Sequence, residues 1–116
     1  MKYAALIYWN EKRGLEASAE HSLEIMRECD RHNKVMEAAG EFISGAPLAP
    51  TATAETVRVR NGKPLVSDGP FAETKEQLGG YVLIDCADRA RAEQRTREIL
   101  QAQQNYDGRI ELYEIG

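Results

Sequence analysis

Two cysteines and two histidines in 116 residues leave little material for metal or redox chemistry. Neither Cys29 nor Cys86 has a Cys-x-x-Cys partner, and a structural zinc site needs four ligands at short spacing. His21 and His32 fall on one predicted helix, about 16 Å apart along its axis, too far to share an ion. Cys29 and His32 lie one turn apart but bring no third ligand. No metal and no cofactor is expected, and both thiols read as free and buried in a reducing compartment. Positive charge is also short. Fifteen Lys and Arg face nineteen Asp and Glu, for a net charge of −4 and a pI near 5.2. That balance offers no basic footprint for nucleic acid or an anionic membrane. Arg58 and Arg60 alternate on a strand and read as a solvated face. No apolar run reaches membrane-spanning length. The opening Met1-Lys2-Tyr3-Ala4-Ala5-Leu6-Ile7-Tyr8-Trp9 is too short for a signal peptide with its cleavage site and reads as a strand, so a cytoplasmic protein is expected. A chain of this length has room for one core, hence a single domain spanning 1–116.

What is present is a regular alternation of strands and helices. Residues 2–9 put Tyr3, Ala5, Ile7 and Trp9 on one face and Ala4, Leu6 and Tyr8 on the other, both apolar. Residues 80–86 repeat this, with Tyr81 and Leu83 opposed to Val82, Ile84 and Cys86. From Ser18, an N-cap residue, to Gly40, a helix-ending residue, the 3.6-residue period predicts an amphipathic helix. Its inner side is expected to hold Ser22, Ile25, Met26, Cys29, His32, Asn33 and Met36. Residues 41–45 read as a short strand. Residues 56–67 read as a hairpin turning at Asn61-Gly62, with Pro64 confining the return strand to an edge or bulge. A second helix follows Asp88, and a strand from Arg109 to Ile115 closes the chain. This order is the split βαβ plan with an inserted hairpin. Two helices cover one sheet face only, and the apolar residues of the other face need a second copy of the sheet. A homodimer is expected on that ground.

The run from Asp68 to Tyr81, Asp68-Gly69-Pro70-Phe71-Ala72-Glu73-Thr74-Lys75-Glu76-Gln77-Leu78-Gly79-Gly80-Tyr81, packs a turn, several ionisable groups and a glycine pair between two strands. Gly79-Gly80 lacks the later glycine and helix start of a dinucleotide fingerprint and reads as a bulge or a close backbone approach. The run resembles, nearly end to end, the signature of YCII-related proteins of the DGPF subgroup. Met1-Lys2-Tyr3 to Ile7-Tyr8 and Thr56-Val57-Arg58-Val59-Arg60 to Lys63 are similar to the same pattern. The tail, Ile110-Glu111-Leu112-Tyr113-Glu114, departs from the Glu-Val-Arg-Pro type strand of that group. The resemblance implies an α+β, ferredoxin-like βαββ(hairpin)αβ fold with an antiparallel sheet and two helices on one face, paired into a dimeric α/β barrel. It implies no activity. Some relatives are linked to ring-cleavage or dehalogenation chemistry, and others stand beside extracytoplasmic-function sigma factors.

Within this frame Asp68 is the candidate general base, since a carboxylate on a turn at a strand end can be partly desolvated at a barrel mouth. Lys75 is the candidate partner for an anionic oxygen, against an exposed ion pair with Glu73 or Glu76. His32, at the edge of the apolar helix face, is the second catalytic candidate. Tyr8, Phe71 and Tyr81, with Trp9, are candidates to line a pocket that takes a small organic molecule. Two functions stay open. One is a small-molecule-binding protein with or without catalysis near the Asp68–Tyr81 loop; the other is a non-catalytic accessory or regulatory binding module.

Overall fold

The computed structural model describes residues 1–70, 72, 74–104 and 108–116. Its main sheet has four strands: β1 (Lys2–Trp9), β2 (Phe42–Pro47), β5 (Gln77–Asp85) and β6 (Arg109–Glu114). They lie in the order β2-β5-β1-β6 and pair antiparallel throughout. Tyr3, Ala5 and Ile7 of β1 and Val82 and Ile84 of β5 point to the buried side, joined by Cys86 just past β5. Met36, Ala92 and Ile99 reach this layer from two long helices, α2 (Ala19–Ala38) and α3 (Arg89–Gln103). Phe42, Ile110 and Leu112 pack around it. Burying a side chain such as Ile84 in full contributes about 1.5–3 kcal/mol, so these strand positions are a main source of stability.

The helix ends follow their capping residues. Ser18 accepts the His21 N–H through its hydroxyl, and Asp88 accepts the Arg91 N–H at 2.8 Å. At the end of α2, Gly40 takes φ of 73°, and the Glu41 N–H turns back to the Met36 carbonyl at 2.9 Å. A third helix, α1 (Glu11–Leu15), was not expected from periodicity, because five residues are too few to show one. The described residues thus hold three α-helices where two were expected. A short 3-10 turn at Thr51–Thr53 is a further addition. The inner face of α2 is also narrower than its angular spacing implies. His32 and Met36 are buried, Ile25, Cys29 and Asn33 are half-buried, and Met26 is 66% exposed. Burial concentrates in the later turns, where α2 meets α3 and β2.

The hairpin forms as its turn residues require. β3 (Glu55–Arg60) and β4 (Lys63–Asp68) are joined by Asn61 and Gly62 at φ of 53° and 75°. The two strands make a sheet of their own and do not extend the four-stranded one. Between β1 and β5 the register shifts, with Ile7 opposite Gly80 and Tyr8 opposite Leu78, so Gly79 is the bulged residue.

Candidate functional site

Trp9 ends β1 and fixes how the chain turns away from the sheet. A Cβ on Gly14 would stand 1.9 Å from the indole Cζ3, and one on Gly79 2.6 Å from Cδ1. Two glycines therefore leave the slot that the ring fills, one on α1 and one in the β5 bulge. Asn10 caps α1 by accepting the Arg13 N–H at 3.0 Å, and the Glu11 N–H donates to the Gln77 side-chain oxygen at 3.0 Å. The Glu11 carboxylate accepts the Thr51 hydroxyl at 2.9 Å and the Thr51 N–H at 3.1 Å. These bonds clip three segments together, remote in sequence: the start of α1, the 3-10 turn and the start of β5.

An open cavity of about 490 Å³ lies between them, lined by Asn10, Glu11, Lys12, Leu15, Thr51, Lys75 and Gln77. Its carboxylate is engaged by Thr51, while Lys12 and Lys75, both exposed, are also among its lining residues. Leu15, more than half exposed, adds an apolar wall.

Lys75 is thus a sequence candidate that lines this cavity. Glu76, offered as its ion-pair partner, instead pairs with Arg109. Asp68 ends β4 opposite Glu55, exposed, and is not among the residues lining that cavity. The turn after it is tied to β3: the Gly69 N–H donates to the Ala54 carbonyl at 2.7 Å, and the Thr56 hydroxyl donates to the Gly69 carbonyl at 2.7 Å. Phe71 and Glu73 lie outside the described residues.

Tyr8 and Tyr81 stand on the sheet face away from the helices. Tyr81 lies opposite Leu6 and Ala46 in the two ladders. Over the Tyr8 ring, at 4.2 Å from its centroid, sits the Arg109 guanidinium, which also holds Glu111 at 2.9 Å. The Tyr113 hydroxyl donates to Glu111 at 3.0 Å. Arg109 and then Tyr113 hold the Glu111 carboxyl below its usual range. This polar group on an otherwise apolar face was missed from sequence. The period-2 spacing of Arg109, Glu111 and Tyr113 on the last strand carried the signal.

His32 is buried between α2 and α3, with Nε2 3.0 Å from Glu98 Oε1. Arg95 donates to the same oxygen at 2.9 Å and to Glu41 at 2.8 Å, and Arg91 also holds Glu41 at 2.8 Å. Glu98 lies below the ordinary carboxyl range, first through the His32 bond, then through Arg95. A second cavity of about 370 Å³ opens beside His32, Glu98, Glu28 and Arg31. His32 and Lys75 therefore line separate cavities, and Asp68 is among the lining residues of neither. Burial pushes up the thiols of both Cys29 and Cys86. Among the described residues no group of three His, Cys, Asp or Glu side chains is placed to hold a metal ion, and no helix is long and apolar enough to cross a membrane.

The model of the YCII-related domain matches residues 1–115. An uncharacterized protein of Rhizobium meliloti (strain 1021) is 44% identical over 87 residues, covering 75% of this chain and 70% of that protein. The chain belongs to the YCII-related domain family.

Proposed function

We propose that this YCII-related protein binds a small organic anion in the cavity between α1, the 3-10 turn and the start of β5. The observation that carries this reading is the charge arrangement there. Lys12 and Lys75 line the cavity, and its carboxylate, Glu11, is already bonded to Thr51. An anion entering it meets two cations without displacing an ion pair between Lys75 and Glu76, because Glu76 is held by Arg109.

The assembly we propose around this site is a homodimer of ferredoxin-like subunits, a dimeric α/β barrel of the DGPF subgroup. The strand order β2-β5-β1-β6 with helices between β1 and β2 and between β5 and β6 supports the ferredoxin-like plan. Leu6, Tyr8, Tyr81 and Leu83 are half-buried on the open sheet face, which supports its pairing with a second sheet. The run Asp68-Gly69-Pro70-Phe71 supports the subgroup. In this assembly a partner surface can desolvate Asp68, the condition for it to act as a base.

The test uses Trp9, the one tryptophan, whose slot adjoins Asn10, Glu11 and Gln77. A panel of small aliphatic and aromatic carboxylates and phosphates is titrated while indole emission is read. Saturable binding is expected, weakened about tenfold in Lys75→Met, which keeps the apolar stem and removes the charge. Equal affinity in wild type, Lys75→Met and Lys12→Met would remove the cavity as the site. For any bound compound that is also turned over, Asp68→Asn should retain binding and lose turnover, because an amide does not accept the proton. Turnover that persists in Asp68→Asn excludes it as the base.

A further inference from the structure

We infer that Arg109 is a positioning residue for the anion cavity: it holds the Glu76 carboxylate aside and so leaves Lys75 to a ligand. This inference deepens the reading proposed above and rests on it. Lys75 and Gln77 both line the cavity, whereas Glu76, which stands between them in the chain, is not among the lining residues. Its side chain is paired with the Arg109 guanidinium of β6 and is only 25% exposed. Lys75 is exposed and, among the described residues, holds no ion pair.

Arg109 is set in place by groups outside the cavity. Its Nε and one terminal nitrogen donate to the same Glu111 oxygen at 3.1 Å and 2.9 Å, and the Tyr113 hydroxyl donates to the other Glu111 oxygen at 3.0 Å. The guanidinium lies 4.2 Å from the centroid of the Tyr8 ring, a favourable place for a cation. Its remaining terminal nitrogen donates to Glu76. Arginine suits this role because its planar fork addresses two carboxylates in fixed directions, which a lysine ammonium does not.

The segment that carries Lys75 keeps its shape through other bonds. The Gln77 side-chain nitrogen donates to the Thr74 carbonyl, and its oxygen accepts the Glu11 N–H at 3.0 Å. The Thr74 hydroxyl donates to the Glu76 carbonyl. Loss of the Arg109 charge therefore frees the Glu76 carboxylate without unclipping the backbone of residues 74–77. The local charge then changes. With Glu76 neutralised by Arg109, the cavity sets Lys12 and Lys75 against Glu11, one positive charge in excess. With Glu76 released to its chain neighbour, that excess is gone. An exposed carboxylate beside an ammonium shifts its protonation equilibrium about two- to fivefold, and it takes a similar factor from the affinity for an anion.

The experiment reads Lys75 directly, so it does not depend on which anion binds. Native full-chain wild type, Arg109→Gln, Glu76→Gln and the double variant are treated with trace acetic anhydride at one fixed pH. Acetylation of Lys75 is measured by peptide mapping relative to Lys34, an exposed lysine on α2. Arg109→Gln should slow Lys75 about two- to fivefold, because the released carboxylate protects the ammonium form, which does not acylate. The double variant should return to the wild-type rate, a rescue that general loosening of the fold would not give. Glu76→Gln alone should match wild type. Equal rates in wild type and Arg109→Gln, or a double variant as slow as Arg109→Gln, would overturn the inference. So would a Glu76→Gln rate above wild type, which would mean that Glu76 already faces Lys75; this arm needs no Arg109 variant to fold. The same four proteins are then titrated with benzoate and with inorganic phosphate while Trp9 emission is read. Affinity should fall about two- to fivefold in Arg109→Gln and return in the double variant. The expected acetylation pattern with neither anion bound by wild type would overturn the anion reading of the cavity and leave the hold of Arg109 on Glu76 standing.

Discussion

Replacing Glu41 by glutamine should cost the protein about 3 kcal/mol at neutral pH and progressively less as pH falls toward 2. Glu41 is 8% exposed and accepts hydrogen bonds from Arg91 Nε at 2.8 Å and Arg95 Nε at 2.8 Å. Its own carbonyl receives the Asp85 N–H at 2.8 Å, so one residue joins the end of α2, the end of β5 and the inner side of α3. The Arg91 bond, then Arg95, hold the carboxyl at about 2 against the opposing pull of burial. Relative to the ordinary 4.5, at about 1.4 kcal/mol per pH unit, that difference is worth about 3 kcal/mol. Since the folded carboxyl is the stronger acid, this stability is present in full above pH 4.5. It is lost as pH falls from there through about 2.

Glu41→Gln preserves shape while removing the charge, and it leaves Arg95 buried beside a neutral amide. Urea unfolding at fixed protein concentration, at pH 7, 5, 3.5 and 2.5, gives the readout. At pH 7 the midpoint should fall by about 1–3 M, given slopes of about 1–3 kcal/mol/M for small proteins. The gap between wild type and variant should close toward pH 2.5. Glu98 is also held down, by His32 and Arg95, and contributes to the same acid limb, so the difference between the two proteins is the quantity to follow. A gap as wide at pH 2.5 as at pH 7 would refute the assignment to the Glu41 charge.

Gly79→Ala should destabilise the fold by about 1–3 kcal/mol and shift Trp9 emission, because the new methyl meets the indole at 2.6 Å in a ring slot closed on its other side by Gly14. Gly40→Ala is its control: φ of 73° is strained for alanine but no atom lies within 4 Å, so about 1 kcal/mol is lost by denaturant unfolding with Trp9 emission unchanged. With a thiol reagent on the native protein, Cys29, half-buried, should be modified before Cys86, which is 2% exposed. Peptide mapping that shows Cys86 reacting first would mean that the end of β5 opens more readily than α2.

Elements with local signals were readable from the chain. Asn61-Gly62 specified the hairpin turn, Ser18 and Asp88 the helix starts, and Gly79-Gly80 a bulge or close backbone approach, each because the required backbone geometry is decided within a few residues. Helix α1 was not readable, since five residues do not complete an amphipathic period. The cavity was half readable. Lys75 stood out within its signature run, whereas Glu11 meets Thr51 and Gln77 only after folding, across 40 and 66 positions. Tyr8 was identified for its ring, but its partner Arg109 comes from the opposite end of the chain.

The charged group between the helices shows the harder limit of such reading. Arg91, Arg95 and Glu98 recur at helical spacing, and a polar stripe at that spacing reads as the solvated side of a helix. The structure turns the stripe inward, because Glu41 enters from the end of α2 and His32 from its middle. Two carboxylates then face two guanidiniums, and the desolvation cost of each ion is offset by its neighbours. This pairing also accounts for the docking of α3, whose buried residues are Ala92, Arg95 and Ile99, only one of them a large apolar side chain. Hydrophobic burial anchors its later turns at Ile99, and the bonds to Glu41 anchor its first turns. A substitution at Glu41 should therefore loosen α3 from its N-terminal end, and amide exchange in Glu41→Gln should rise more over residues 92–95 than over residues 99–103.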